Sequence, residues 1–295
     1  MKLITYERNG TEAVGVLRDE TNAILPVSAL GLPYDSMNAL IAGATEEELE
    51  RLRQAARTGE GFSLRLEEVR LLAPIPNPLQ DVICLGLNYT EHAREAAAYA
   101  NDAFTSKDRR CPVYFSKRAW NVPGDGMGIP AYEGLTQRLD YEVELAVILG
   151  KDAKGVRPEE AAEYIFGYTI CNDVSARDLQ TGHTQWYYGK SLDGFTPLGP
   201  AIVTADEIPF PPRQKIMSRV NGQLRQNSTT DMLIFGIDEI ISDLSRGMTL
   251  RAGTIIATGT PKGVGMGFDP PKFLKKGDVV QCEIEGIGTL TNPIV

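Results

Sequence analysis

The spacing of apolar and polar positions changes along this chain, and the changes mark its elements. MKLITYE, AVGVL and AILPVSAL are short apolar runs parted by RNGTE and RDETN, the pattern of a small antiparallel meander. SMNALIAGA and TEEELERLRQAAR switch to helical spacing. In the second, Thr45 precedes Glu48 at capping-box distance, and basic residues close the segment. LLAPIPNPLQ carries three prolines within five residues and predicts an extended linker, with a boundary near residues 71–79. The expected units are a small N-terminal α+β domain over 1–70 and a larger domain over 71–295.

The larger unit is strand-rich. DVICLGLNY predicts a buried strand, and the Ala-rich TEHAREAAAYA predicts a helix with an acid in its first turn. Residues 101–137 are polar and rich in Gly and Pro, and predict a long loop of the functional or mobile kind. Strand patterns follow in YEVELAVILG, YIFGYTICND, LGPAIVTADEI, KIMSRVNGQLRQ, TIIATGTP and DVVQCEIEGIGTLTNPIV, with a helix around LIFGIDEIISDLSRG. Strands outnumber helices and do not alternate regularly with them. The fold class is therefore α+β with a mostly β core, not a doubly wound sheet.

Composition narrows the function. A formal net charge of −9 and a pI near 5.0 disfavour general nucleic-acid binding, which needs a basic footprint. Cys84, Cys111, Cys171 and Cys282 form no CxxC pair, so a zinc or redox motif is not expected. MKLITYERNG lacks the apolar region of a signal peptide. No apolar run approaches the roughly 20 residues of a membrane span. The expected setting is cytoplasmic, with no membrane partner. GKS at Gly189–Ser191 lacks the first glycine of a P-loop, since Thr184 stands there. GVGMGF has Phe268 where a dinucleotide motif needs its third glycine, and reads as a mobile turn. With only His92 and His183, and no GxSxG, a serine–histidine–acid triad has little support.

The chemistry concentrates in LDYEVELAVIL. Alternate strand residues share a face, so Glu142 and Glu144 point the same way with Ala146 and Ile148. Such a pair either emerges into solvent or needs a proton or a cation between its members. Asp173, ending the apolar run IFGYTICND, weights the second reading. Three acids from two strand segments suit a hard divalent cation and leave positions open for a chelating substrate. VSARDLQ then adds Arg177, Asp178 and Gln180. His92 and Glu95 share a helix face at i and i+3, as a general base and its orienting acid or as a solvated charged face. Lys190 in WYYGKSLDGF is either a buried oxyanion or carboxylate partner or a surface turn lysine.

GLNYTEHAREA, LDYEVELAVILGK, GYTICNDVSARDLQ, YGKSLDGFTPLGPAIV, VNGQLRQNSTTDMLIF and ATGTPKGVGMG, in this order, resemble the fumarylacetoacetate hydrolase family over about residues 70–295. The resemblance implies a mixed β-roll or sandwich core and a homodimer. It implies one Mg²⁺ or Mn²⁺ per chain on Glu142, Glu144 and Asp173, with Lys190 in the family's lysine position. It implies substrate contacts from Arg177, Gln180 and Thr260, and a water-activating pair in His92 and Glu95. CLGLNYTEH offers no counterpart of the additional aspartate ligand of the animal enzyme, so a three-carboxylate site is expected. The expected reaction is hydrolytic C–C cleavage of an acylpyruvate-type 2-oxo acid. The alternatives are a 2-hydroxyhepta-2,4-diene-1,7-dioate-type isomerase or decarboxylase, an oxaloacetate decarboxylase, or a non-enzymatic protein with a structural metal. Helix 90–100 and loop 101–120 are expected to form a lid. Specificity is expected from loop 99–121 and Trp186–Tyr188.

Overall fold

The structure is a computed structural model and describes residues 1–96 and 111–295. The N-terminal meander forms as the sequence predicts. Strands Lys2–Arg8, Thr11–Arg18 and Ala23–Pro26 pair antiparallel in order. The turn between the first two places Asn9 and Gly10 at φ +53° and +78°, left-handed values that Asn and Gly accept at least cost. Helices Met37–Gly43 and Glu46–Thr58 follow, and Thr45 and Glu48 close the capping box reciprocally.

This meander is continuous with the larger unit's sheet. Lys2–Arg8 pairs antiparallel with Leu198–Thr204, which continues through Ile165–Asn172, Val143–Leu149, Ile255–Ala257, Val82–Gly86 and Val113–Lys117. Within this run only Ile255–Ala257 and Val82–Gly86 pair in parallel. A four-stranded sheet of Gln223–Thr229, Lys215–Val220, Val279–Ile284 and Gly288–Pro293 stacks on it.

The stacking explains the apolar run after Glu144. All of Val143–Leu149 is buried. Tyr141, Val143, Leu145 and Val147 pack with Ile216, Val220, Val280 and Leu290 of the smaller sheet. Ala146 and Ile148 pack on the other side with Leu3, Val14, Leu25 and Leu40 of the meander and its first helix. A strand covered on both faces cannot slip register without moving every side chain into the wrong core. The carboxylates at its start therefore stand on a rigid base.

One expectation fails. Residues 101–137 are not one loop, because Val113–Lys117 is a strand paired antiparallel with Val82–Gly86. Its residues VYFSK lie inside a Gly- and Pro-rich stretch, and an aromatic-rich edge strand of five residues is too short for a periodic signal. The helix after LNY is described as Thr90–Ala96, and the rest of the expected lid, up to residue 110, lies outside the described residues.

Candidate active site

Strand pairing brings the three acids together. Asn172 is in register with Val143, and Cys171 with Glu144. One residue beyond the pairing, Asp173 N–H donates to the Glu142 carbonyl at 2.9 Å, and Asn172 Oδ1 accepts from Glu142 N–H at 3.1 Å. One oxygen from each of Glu142, Glu144 and Asp173 lies within 4.8 Å of the others, and all three residues are buried. Sequence periodicity alone put two acids on one face; the register of the adjoining strand adds the third.

Cations surround the cluster. Lys190 Nζ donates to Glu142 Oε2 at 2.8 Å and to Asp173 Oδ2 at 2.7 Å. Arg177 Nη2 lies 2.6 Å from Glu142 Oε1, and its Nε donates to Asp140 Oδ2 at 2.8 Å. Lys117 Nζ sits 2.6 Å from Asp173 Oδ1, while it hydrogen-bonds the carbonyls of Val174 and Lys190. Lys190 is 2% exposed, which decides against a surface turn lysine. It ends the short helix Tyr187–Lys190, which packs tightly on Arg177–Gly182; a Cβ on Gly189 would stand 2.3 Å from Gln180 N. Only glycine permits that approach.

The charges set the protonation states. Burial alone would raise the Glu142 carboxyl, but Lys190 and Arg177 more than offset it and hold it below the ordinary range. Burial would lower the Lys190 ammonium, yet Asp173 and Glu142 hold it above its usual value. Glu144 goes the other way. Burial, then the charges of Asp173 and Glu142, push it well up, and its Oε2 accepts from Gly259 N–H at 2.8 Å. Four buried acids, Asp140, Glu142, Glu144 and Asp173, thus meet three buried cations, Lys117, Arg177 and Lys190. The all-oxygen donor set fits a hard divalent cation, which would displace the proton that Glu144 holds.

Across the same cavity stands the histidine pair. His92 Nδ1 and Glu95 Oε2 are 2.9 Å apart on Thr90–Ala96, and His92 is buried, so the solvated-face reading does not describe it. Glu95 Oε1 also accepts from Gly263 N–H at 3.0 Å. His92, Glu142, Glu144, Arg177, Gln180, Lys190 and Thr260 all line this cavity; Leu85, Phe115, Trp186 and Met266 supply apolar wall. Of the expected specificity segment Trp186–Tyr188, Trp186 lines the cavity, whereas Tyr187 and Tyr188 are exposed.

Three parts of the site escaped the sequence reading. Lys117 lies in the misread strand. Asp140 is completely buried and accepts from Gly265 N–H at 2.6 Å, Met266 N–H at 2.9 Å and Arg177. The GVGMG segment, expected as a mobile turn, is therefore pinned between Asp140 on the core and Glu95 on the helix. Gln226, also fully buried, bonds Thr260, Pro261, Ser218 and Val143. Its only sequence signal was its place in VNGQLRQ. Of the cysteines, Cys84, Cys171 and Cys282 are buried, as small apolar residues would be, while Cys111 is exposed.

This fold and this carboxylate cluster define a family. Residues 81–295 match the model of the fumarylacetoacetate (FAA) hydrolase C-terminal domain, and the chain belongs to that family. Among its relatives, the oxaloacetate tautomerase YisK of Bacillus subtilis (strain 168) is 48% identical over 233 residues, covering 79% of this chain and 75% of that protein. A fumarylacetoacetate hydrolase from psychrophilic Exiguobacterium antarcticum is 40% identical, with a TM-score of 0.81 over 100% of this chain and 99% of that one. The maleylpyruvate hydrolase of Sphingobium sp. SYK-6, solved with manganese(II) and pyruvate, is 29% identical, with a TM-score of 0.76 over 100% and 99%. The family's activities make this chain an enzyme acting on a small molecule. No helix among the described residues is long and apolar enough to cross a membrane.

Proposed function

We propose that this enzyme interconverts the keto and enol forms of a short 2-oxo dicarboxylic acid of the oxaloacetate class. The observation that carries the reading is that buried His92, held by Glu95, lines the same cavity as Glu142 and Glu144 of the three-carboxylate cluster. The 48% identity to a protein named oxaloacetate tautomerase supports this reaction over the hydrolysis expected first from the sequence. Catalysis is assigned to the 71–295 unit, and the expected homodimer and cytoplasmic setting belong to the same reading.

Glu142, Glu144 and Asp173 would hold one Mg²⁺ or Mn²⁺ per chain, the choice of a hard ion following from the oxygen donors. When bound, such an ion supplies Lewis-acid withdrawal of charge from the 2-oxo oxygen. Arg177 and Gln180 would orient a substrate carboxylate, and Lys190 would stabilise negative charge on oxygen. His92, with Nδ1 held by Glu95, offers Nε2 to take the proton from carbon 3. The carbon–hydrogen electron pair becomes the second carbon–carbon bond, the carbonyl π pair moves onto the 2-oxo oxygen, and that oxygen takes up the proton that His92 carries. No water enters, so mass is conserved. The apolar wall of Leu85, Phe115, Trp186 and Met266 keeps bulk water from the exchanging proton.

Hydrolytic cleavage of an acylpyruvate is the second reading. The same His92–Glu95 pair suits water activation, and pyruvate, bound in the Sphingobium structure, is the fragment such a cleavage would release. Product analysis separates the two. Oxaloacetate, an acylpyruvate and a hydroxy-dienedioate are each incubated with Mg²⁺ or Mn²⁺ and followed by enol absorbance and mass. Accelerated enol–keto relaxation at unchanged mass, lost in His92→Ala, supports tautomerisation. Release of pyruvate or carbon dioxide without that acceleration contradicts it.

A further inference from the structure

The hydrogen-bond sense of Thr260 is fixed by its neighbours. Val143 N–H can only donate and the Pro261 carbonyl can only accept, so the Gln226 amide has one orientation. Its Oε1 accepts from Val143 N–H at 3.1 Å and from Ser218 Oγ at 2.9 Å; its Nε2 donates to the Pro261 carbonyl at 2.7 Å. The second Nε2 hydrogen goes to Thr260 Oγ1 at 2.7 Å. Thr260 spends its single hydroxyl hydrogen on the Val143 carbonyl at 2.9 Å. What Thr260 can still offer the cavity is one lone pair. Gln180 is set the opposite way. Its Oε1 accepts from Arg177 Nη1 at 3.0 Å, which fixes the amide's orientation and leaves its NH₂ group to donate.

We infer that Thr260 meets the substrate as a hydrogen-bond acceptor and selects the form that carries a hydroxyl. A carboxylate or 2-oxo oxygen there would set lone pair against lone pair; an O–H would complete the bond. Resting on the tautomerase reading, the matching group is the enol hydroxyl, which only one of the two interconverting forms possesses. Gln180, Arg177 and Lys190 are the donors for the acceptor oxygens shared by both forms. Gln226 is the positioning residue that holds this polarity.

The test is binding, measured by calorimetry on the full chain with Mg²⁺. The probes are both enantiomers of malate, which carry a donor hydroxyl, 2-methoxysuccinate, which lacks that hydrogen, and oxalate, a chelator with acceptors only. Wild type is expected to bind the better malate enantiomer about tenfold more tightly than 2-methoxysuccinate. Thr260→Val is expected to remove that advantage and leave oxalate within about twofold, whereas Thr260→Ser keeps it. Equal affinity of wild type for malate and 2-methoxysuccinate, with oxalate bound, overturns this inference alone, and needs no variant. So does a Thr260→Val protein that loses oxalate as much as malate. Failure of wild type to bind any probe overturns both this inference and the functional reading.

Discussion

Lys117 Nζ lies 2.6 Å from Asp173 Oδ1 with both side chains completely buried, while Lys190 holds the other oxygen of the same carboxylate. Burying an ion is costly, and removing one partner of a buried pair leaves the other uncompensated. Lys117→Met is therefore expected to destabilise the metal-free protein by about 3–5 kcal/mol. Because the variant carries one more unit of negative charge in the acid cluster, added Mg²⁺ should raise its melting temperature more than it raises that of wild type. Thermal melts with and without Mg²⁺ check both; an equal Mg²⁺ effect on the two proteins would separate Lys117 from the metal-binding charge balance.

Gly267 bears on the histidine pair without touching substrate. A Cβ there would stand 2.2 Å from Glu95 Oε1. Glu95 can swing away at small cost to the fold, but only by leaving His92 and Gly263 N–H. Gly267→Ala is expected to keep stability within about 1 kcal/mol and to lower kcat by at least tenfold, the lower end of what a general base contributes being larger still. Paired melts and steady-state kinetics read it. A large loss of stability with normal kcat would mean that the turn moves rather than Glu95.

Asp140 ties the same turn to the acid cluster through Gly265 N–H, Met266 N–H and Arg177 Nε. Asp140→Asn keeps the shape but has only one acceptor oxygen and no charge. It is expected to weaken both ends: a lower kcat through the turn, and weaker substrate binding through Arg177. Asp140→Glu should not rescue it, because the buried carboxylate has no room for another methylene. Kinetics on both variants, with kcat and KM resolved, test the coupling; a change in KM alone would confine Asp140 to Arg177.

Glu144 links metal binding to pH. Its raised pKa means that the metal-free folded chain holds this proton over a window starting near the ordinary carboxylate value of about 4.3 and running upward. The unfolded chain loses the proton first, so this group's effect on metal-free stability turns unfavourable as pH rises through the window. A divalent ion needs the carboxylate ionised, so binding within the window releases about one proton and weakens as pH falls. Calorimetry in two buffers of different ionisation enthalpy counts the protons; none released would show Glu144 already ionised.

How much of this was legible follows from what each signal measures. Period-two spacing put Glu142 and Glu144 on one face because alternation is a property of one strand. Spacing showed Asp173 only as an acid ending another apolar run, and the family resemblance joined it to Glu142 and Glu144; its place beside Glu142 comes from strand register, which no local pattern encodes. Lys117 was missed because lysine is almost never fully buried, so a lone lysine in a polar stretch reads as surface. The GVGMG turn was misjudged because glycine spacing reports backbone freedom, and here two carboxylates remove it. Gln226 sits on a hairpin that turns at Asn221–Gly222, inside a stretch read only as strand, and its bonds to Thr260 and Val143 join segments far apart in sequence.

The measurement that tests the central claim most directly is a Mn²⁺ titration followed by electron paramagnetic resonance on wild type and on Glu142→Gln, Glu144→Gln and Asp173→Asn. The expected result is one ion per chain in wild type, with affinity lowered at least tenfold by each substitution and the bound-ion signal altered by added 2-oxo acid. Binding that survives all three substitutions, or a wild-type signal indifferent to the acid, would contradict a substrate-chelating metal site on these carboxylates.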